Sequence, residues 1–162
     1  MNEQIHKLTP DEMLDDMLVL VTTEFKGKRD KGGRPYVLHC MTVMYFLKTD
    51  DVELQVIGLG HDLIEDTRIT AEELRRRGYS ERVISGIVAL SKRDGESSEE
   101  YLARVMANDD AILVKICDIS HNTDIRRLKG LREKDFLRMQ KYHHMFTALK
   151  ALARERNLPT RR

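Results

Sequence analysis

The sequence predicts an all-α protein of about eight helices, and three observations carry that prediction. Apolar residues recur three and four positions apart in the long segments, which is the period of a helix with one buried face. No stretch alternates apolar and polar residues over the length of a strand, and the 162 residues include only three Pro. A chain of this length can bury a full core, so we expect a single domain over residues 1–162.

Start and stop signals place the individual helices. The pattern of a capping box begins at Thr9, Thr70 and Ser97, where Glu follows three positions later. Pro10 occupies a favourable first helical position, and Gly78 is suited to end the helix that starts after Thr70. The predicted helices cover residues 10–25, 37–48, 51–65, 71–77, 80–90, 98–107, 110–122 and 133–156.

Composition argues against several classes of protein. The net charge of +1 does not favour a general nucleic-acid-binding role, which usually needs a clear basic excess. The apolar runs, roughly 11 residues long, are too short to span a bilayer. No basic and apolar leader opens the sequence, and Cys40 and Cys117 lie inside apolar runs, where we interpret them as reduced core residues. We therefore expect a cytoplasmic protein with no nucleic-acid or membrane partner.

The densest group of chemically active side chains lies in residues 60–67, GHDLIEDT. If this segment continues the preceding helix, His61 lies above Glu65 and Asp62 lies above Asp66, because residues four apart share a face. Three carboxylates at the end of an apolar helix would repel each other and lose hydration unless a cation neutralised them. The segment therefore predicts a metal ion.

Two distant segments complete a ligand set. His39 lies early in the apolar run of residues 37–47, and Asp118 ends the apolar run of residues 111–117. A mixed set of nitrogen and oxygen donors suits Mn²⁺, Fe²⁺ or Zn²⁺ better than Ca²⁺, which prefers oxygen alone. The predicted ligands are His39, His61, Asp62 and Asp118.

This donor set has a chemical use. An ion with open positions can acidify a water and polarise a phosphoryl oxygen. Glu65 and Asp66, just beyond the ligands, could orient that water, accept its proton or protonate the leaving oxygen. Asn122 lies one turn after Asp118, either as a plain helix cap or as a hydrogen-bond partner for the substrate or a ligand. The combination is typical of a phosphohydrolase.

A basic loop precedes the first predicted ligand. Residues 26–35, KGKRDKGGRP, contain five cations and three Gly. One interpretation is a solvated turn. The other is a clamp in which exposed backbone N–H groups and the side chains of Lys31 and Arg34 bind substrate phosphates.

Three sequence blocks stand out: GRPYVLH (33–39), HDLIEDT (61–67), and ILVKICD (112–118) with SHN (120–122). They resemble those of the HD-domain phosphohydrolases, and within them the hydrolase domain of the RelA/SpoT alarmone family. The resemblance covers about residues 10–155, and its size matches the small, stand-alone hydrolases. It implies an all-helical HD-domain bundle, a Mn²⁺-like ion on the four predicted ligands, and water activation by Glu65 and Asp66. It also implies that the substrate is guanosine tetra- or pentaphosphate, whose 3′-pyrophosphate is released.

Some positions differ from the family pattern. Cys40 replaces the usual Pro, Ile119 replaces the usual Arg, and Asp30 stands where an Arg usually precedes Lys31. We therefore expect weaker discrimination between guanine and adenine than between substrates with and without a 3′-pyrophosphate. Two alternatives stay open: an HD phosphohydrolase that acts on another nucleotide (a monophosphate, a cyclic nucleotide or an adenosine alarmone), and a non-catalytic nucleotide-binding protein.

Overall fold

The described part of the chain, residues 6–160 of this computed structural model, consists of nine α-helices and one 3-10 helix. These residues form no strand beyond an isolated bridge between Arg29 and Pro35, so the all-α prediction is confirmed. The elements are α1 (Pro10–Glu24), α2 (Val37–Phe46), α3 (Val52–Gly60), α4 (Leu63–Asp66), α5 (Ala71–Arg77), α6 (Glu81–Leu90), α7 (Ser98–Met106), α8 (Asp109–Asn122), the 3-10 helix Ile125–Arg127 and α9 (Glu133–Glu155).

Local signals end and begin these helices as the sequence predicts. Thr9 Oγ1 accepts a hydrogen bond from the Glu12 backbone N–H at 3.3 Å, and the Thr9 N–H donates to Glu12 Oε2 at 2.8 Å. The same reciprocal pair opens α7 at Ser97. At Thr70 the box is incomplete, because the Glu73 carboxylate pairs with Arg76 and Arg77 and only the Thr70 hydroxyl accepts, from the Glu73 N–H. Gly78 ends α5 with φ of 95°, a left-handed conformation that costs glycine little. The two boxes each satisfy N–H groups that a helix start leaves unpaired.

The predicted helix over residues 51–65 is wrong in one respect, because the chain turns near its C-terminal end. α3 ends at Gly60, His61 and Asp62 form a turn, and α4 begins at Leu63. Asp62 has φ −98° and ψ 0°, at the edge of helical space. The expected stacking of His61 over Glu65 on one continuous helix is therefore replaced by a turn that directs the His61 and Asp62 side chains to the same point.

α3 lies at the centre of the bundle and packs against α1, α2, α6 and α8. Two glycines permit this close packing. A Cβ on Gly58 would lie 2.7 Å from Leu47, and one on Gly60 would lie 2.8 Å from Met17 of α1. Because the central helix ends at Gly60, the two residues that follow emerge inside the protein rather than at its surface.

None of the helices in residues 6–160 combines the length and the apolar character needed to cross a membrane.

Candidate metal centre and substrate cavity

The four predicted ligands meet at one point between α2, the α3–α4 turn and α8. His39 Nε2 lies 3.1 Å from Asp118 Oδ1 and 3.7 Å from Asp62 Oδ2. His61 Nε2 lies 3.0 Å from Asp62 Oδ2 and 3.5 Å from Asp118 Oδ1. Two imidazole nitrogens and two carboxylate oxygens thus alternate around a small space. His39, His61 and Asp118 are buried, and Asp62 is partly buried.

The residues present fit a divalent cation. The Nε2 atoms of His39 and His61 are buried and have no hydrogen-bond partner among the described residues. His61 Nδ1 lies 2.8 Å from the Gly58 carbonyl, which can only accept, so the proton belongs on Nδ1. The lone pair of His61 is then on Nε2 and faces the carboxylates. Buried lone pairs of this kind are costly without a partner, and a metal ion would supply one.

The electrostatics of the cluster also favour positive charge. Burial raises the pKa of Asp62, but His61 outweighs it and brings that pKa down to about 2. Burial opposes ionisation of Asp118 as well, yet the Lys115 ammonium and the two imidazoles hold its pKa well below the ordinary value. Burial lowers the pKa of His61, but Asp62 and Asp118 raise it well above the ordinary value. The cluster therefore attracts a cation, whether a proton or a metal ion.

Three further side chains hold the carboxylates in place. Tyr36 Oη donates to Asp62 Oδ2 at 2.5 Å, and Lys115 Nζ donates to Asp118 Oδ2 at 2.8 Å. Asn122 Nδ2 donates to Asp118 Oδ1 at 2.6 Å, so it contacts a predicted ligand, and Thr123 caps α8. Tyr36 and Lys115 were not predicted from the sequence as part of the site. Their signal was spacing, since each lies three positions before a predicted ligand on the helix or at its start.

His121, part of the SHN block at residues 120–122, packs directly on His39. The two rings stack with centroids 5.0 Å apart, and their Nδ1 atoms lie 2.7 Å from each other. Burial and the charge of Arg127 lower the pKa of His121 to about 4, so the ring is neutral at pH 7. One Nδ1 must donate and the other accept. If His39 donates, its Nε2 lone pair faces the cluster, as in His61.

Glu65 and Asp66 lie on the wall of the same cavity. Partial burial raises the pKa of Glu65, and the charges of Asp62 and Asp66 add to that rise, while a hydrogen bond from the Lys92 backbone N–H opposes it. Asp66 forms an ion pair with Lys28 at 2.6 Å. The two neighbouring carboxyl groups are therefore in different states: one is disposed to carry a proton, and the other is neutralised by a lysine.

The cavity has a volume of about 320 Å³, and its walls bring the basic loop to the acidic cluster. Lys31 lines it, whereas Arg34 is not part of the wall, and both residues are exposed. Asp30 folds the loop: its carboxylate accepts hydrogen bonds from the Gly32 and Arg34 backbone N–H groups and from Arg127 Nη2. Arg127 belongs to the 3-10 helix after α8. The lining residues are Lys28, Arg29, Asp30, Lys31, Gly32, Tyr36, His39, Asp62, Glu65, Asp66, Lys115, Asp118, Asn122, Asp124, Arg127, Leu128, Arg138 and Tyr142.

Comparison with known proteins finds relatives in bacteria. No family model matches the chain. A Myxococcus xanthus protein named GTP pyrophosphokinase is 37% identical over 125 residues, covering 67% of this chain and 16% of that protein. An Aquifex aeolicus protein named guanosine-3′,5′-bis(diphosphate) 3′-pyrophosphohydrolase is 31% identical over 117 residues, covering 66% of this chain and 16% of that protein. The chain thus spans about a sixth of the length of these curated relatives.

A solved structure has the same fold. It is described as a metazoan ortholog of SpoT that hydrolyses ppGpp, and it superposes with a TM-score of 0.68 at 18% sequence identity. The match covers 93% of this chain and 99% of the other. At this level of identity, the likeness concerns the arrangement of the helices.

Proposed function

We propose that this chain, an HD-domain helical bundle related to the RelA/SpoT enzymes, is a metal-dependent pyrophosphohydrolase. Its proposed substrate is guanosine 3′,5′-bis(diphosphate), the compound in the name of the Aquifex relative. Hydrolysis would break the bond between the 3′-oxygen and phosphorus and release GDP and pyrophosphate. The observation that carries the proposal is a largely buried cluster of two His and two Asp that opens into a cavity lined by six Lys and Arg side chains and by four further carboxylates.

The cluster would hold a divalent ion through His39, His61, Asp62 and Asp118. When bound, such an ion would lower the pKa of a water and withdraw charge from the phosphoryl group. The mixed nitrogen and oxygen donors favour Mn²⁺, with Fe²⁺ and Zn²⁺ as alternatives. Tyr36, Lys115 and Asn122 are positioning residues, because each holds a ligand carboxylate by one hydrogen bond.

The remaining residues of the cavity have separable roles in this proposal. Glu65 carries the proton, since its raised pKa brings it closer to the pH at which a group can both accept and release one. Asp66 and Lys28 form a pair that anchors the basic loop to the wall. Lys31 binds the phosphate chain, and Asn122 keeps Asp118 oriented. A phosphate contact by Arg34 stays a prediction, and that contact would lie outside the cavity wall.

The contacts of Asp30 favour a second candidate substrate. Asp30, which stands where relatives of this type usually carry Arg, is fully occupied by the loop and by Arg127. A position that usually offers a cation to the base offers none here. Because this change removes a possible discriminating contact, the adenosine analogue with the same 3′-pyrophosphate is the alternative substrate.

The test is a nucleotide panel with purified protein and Mn²⁺, with pyrophosphate and phosphate measured separately. We expect pyrophosphate from 3′-pyrophosphorylated guanosine or adenosine nucleotides and little product from GTP, GMP or cyclic nucleotides. The Glu65→Gln variant is the control for contaminating activity. Release of phosphate from ordinary monophosphates would support a general nucleotide phosphatase, and binding without turnover would support a nucleotide-binding protein.

A further inference from the structure

The connection between α6 and α7, residues 91–97, contacts the proposed proton carrier with its backbone. The Lys92 N–H donates to Glu65 Oε1 at 2.5 Å, although the two residues are 27 positions apart in the sequence. Glu65 lines the metal cavity, and in the described part of the chain its Oε2 accepts no hydrogen bond. The connection therefore holds one oxygen of this carboxyl group and leaves the other free.

Two side chains of α7 determine where this connection leaves α6. Arg104 Nη1 donates to the Val88 carbonyl at 3.0 Å, and Arg104 Nη2 donates to the Ser91 carbonyl at 2.7 Å. Tyr101 Oη donates to the Leu90 carbonyl at 2.9 Å. These carbonyl groups lie at the end of a helix, where the backbone supplies no partners. Because both donor residues lie on one turn of α7, the direction of the chain after Ser91 is set by α7.

The same arginine holds the other end of the connection. Arg104 Nε donates to Glu96 Oε1 at 2.6 Å, and Arg104 Nη2 donates to Glu96 Oε2 at 2.9 Å. The Arg93 N–H also donates to Glu96 Oε2, at 3.0 Å. A pair of parallel hydrogen bonds between arginine and a carboxylate fixes orientation as well as distance. Arg104 thus ties Ser91 and Glu96, on the two sides of Lys92, to α7.

We propose that the Lys92 backbone N–H, which Arg104 holds in place, is the positioning donor that orients the Glu65 carboxyl group in the metal cavity. This inference rests on the proposed function, in which Glu65 carries the proton, and it adds the residues that orient this group. A glutamate side chain has several rotatable bonds, so an unrestrained carboxyl group would spend part of its time turned away from the reacting atoms. A misplacement of about 1 Å can cost a factor of about 10² in rate.

The test removes the Lys92 N–H and keeps the Glu65 side chain. Lys92→Pro lacks this donor, and Ser91, with φ −92° and ψ 110°, already has the extended backbone that a residue before proline requires. Lys92→Ala lacks the same exposed side chain but keeps the N–H. With guanosine 3′,5′-bis(diphosphate) and Mn²⁺, we expect kcat of Lys92→Pro to be about 10- to 100-fold below that of Lys92→Ala, with a similar KM.

Asp94→Pro is the control for a proline in this connection. The Glu96 N–H donates to the Arg93 carbonyl at 3.2 Å, and Gly95 between them has φ 75°, so Asp94 is the second residue of a turn, a position that proline favours. In the described part of the chain, the Asp94 N–H donates no hydrogen bond. We therefore expect Asp94→Pro to have the kcat of the wild type.

The Glu65→Gln background supplies the second half of the test, because the effects of residues that act through one group do not add. In this background, Lys92→Pro should lower kcat little further. A loss of the same size in both backgrounds overturns the proposal, and so does an equal kcat for Lys92→Pro and Lys92→Ala. If circular dichroism shows that Lys92→Pro does not fold, Arg104→Lys, which keeps the charge and loses the paired hydrogen bonds, replaces it in the same cycle with the same criteria.

Failure of the proposed function can be told apart from failure of this inference. If the wild type hydrolyses no nucleotide, the proposed function fails, and the Lys92 amide resonance in the NMR spectrum tests the contact by itself. Glu65→Gln should shift this amide proton upfield, because it weakens a charge-assisted hydrogen bond, whereas Asp66→Asn, which changes the neighbouring carboxylate, should not. An unshifted resonance in Glu65→Gln, or equal shifts in the two variants, overturns the proposal.

Discussion

Binding of a divalent ion should raise the thermal stability of this protein, because the four candidate ligands come from α2, the α3–α4 turn and α8 and meet only in the native state. For one site, an ion at 100 times its dissociation constant stabilises by about 2.7 kcal/mol. A protein of this size shifts its Tm by about 2–4 °C per kcal/mol, so Mn²⁺ should raise Tm by about 5–11 °C over protein in chelator.

The Asp118→Asn variant predicts a second change in Tm, this one in the absence of metal. It leaves the Lys115 ammonium, whose side chain is only 13% exposed, without the carboxylate that lies 2.8 Å away. Breaking such a pair costs about 3–5 kcal/mol, so Tm without metal should fall by about 6–20 °C, and the gain with Mn²⁺ should vanish. The double variant Asp118→Asn with Lys115→Met removes both charges, so it should recover much of the stability but none of the metal gain. Glu155→Gln, an exposed carboxylate on α9, is the matched control.

Differential scanning fluorimetry over a Mn²⁺ titration measures both the rise in Tm with metal and the fall in Tm of the variant. Identical melting curves with metal and with chelator would refute the assignment of the cluster as a metal centre. A metal-dependent gain that persists in the double variant would show that the ion binds elsewhere.

Three further predictions concern the cavity and one ion pair. Glu65→Gln keeps the volume of the side chain and should lower kcat by about 10²–10⁴-fold with the metal-dependent rise in Tm retained, and full activity would show that the residue carries no proton. Lys31→Ala should raise KM for a 3′-pyrophosphorylated nucleotide by about 10-fold or more, because Lys31 lines the cavity. Arg34→Ala should change this KM little, because Arg34 lies outside the cavity wall. Similar effects of the two substitutions would indicate that the loop acts only through its total charge. A hydrogen bond from Arg104 at 2.6 Å lowers the pKa of Glu96 to about 2 from its ordinary 4.5, so Glu96 stabilises the fold above pH 4.5 and loses this effect as pH falls towards 2. Glu96→Gln should therefore be less stable than the wild type at pH 7 and equal to it near pH 2 in urea unfolding, and a constant difference between pH 7 and pH 2 would contradict this assignment.

Helix positions were predictable because they depend on local signals. The capping pairs at Thr9 and Ser97 and the left-handed Gly78 set boundaries within their own segments. The break between α3 and α4 was not predictable, since Val52 to Asp66 shows continuous helical spacing and no proline. The turn follows from tertiary packing, in which the central helix ends against α1 and α6 at Gly60.

The residue types in the sequence were enough to predict the metal ligands, but not the side chains that hold those ligands in place. Histidine and aspartate within apolar runs are rare enough to stand out, which is why all four predicted ligands converge in the structure. Tyr36 and Lys115 are common residues in helical segments, and only their contacts distinguish them. Arg34 stays a prediction: its charge and its position in the loop suggest a phosphate contact, while the Asp30 carboxylate accepts from its backbone N–H and its side chain lies outside the cavity wall.

The distribution of the cluster over distant segments has a consequence for the newly made chain. During translation, His39, His61 and Asp62 are synthesised close together, and Asp118 follows more than fifty residues later. Until α8 docks, an ion meets only three donors without the Lys115 and Asn122 contacts that orient the fourth. We therefore expect tight capture of the ion to coincide with the docking of α8 and not to precede it. The partly folded chain, whose core is still open to water, would therefore bind the metal only weakly.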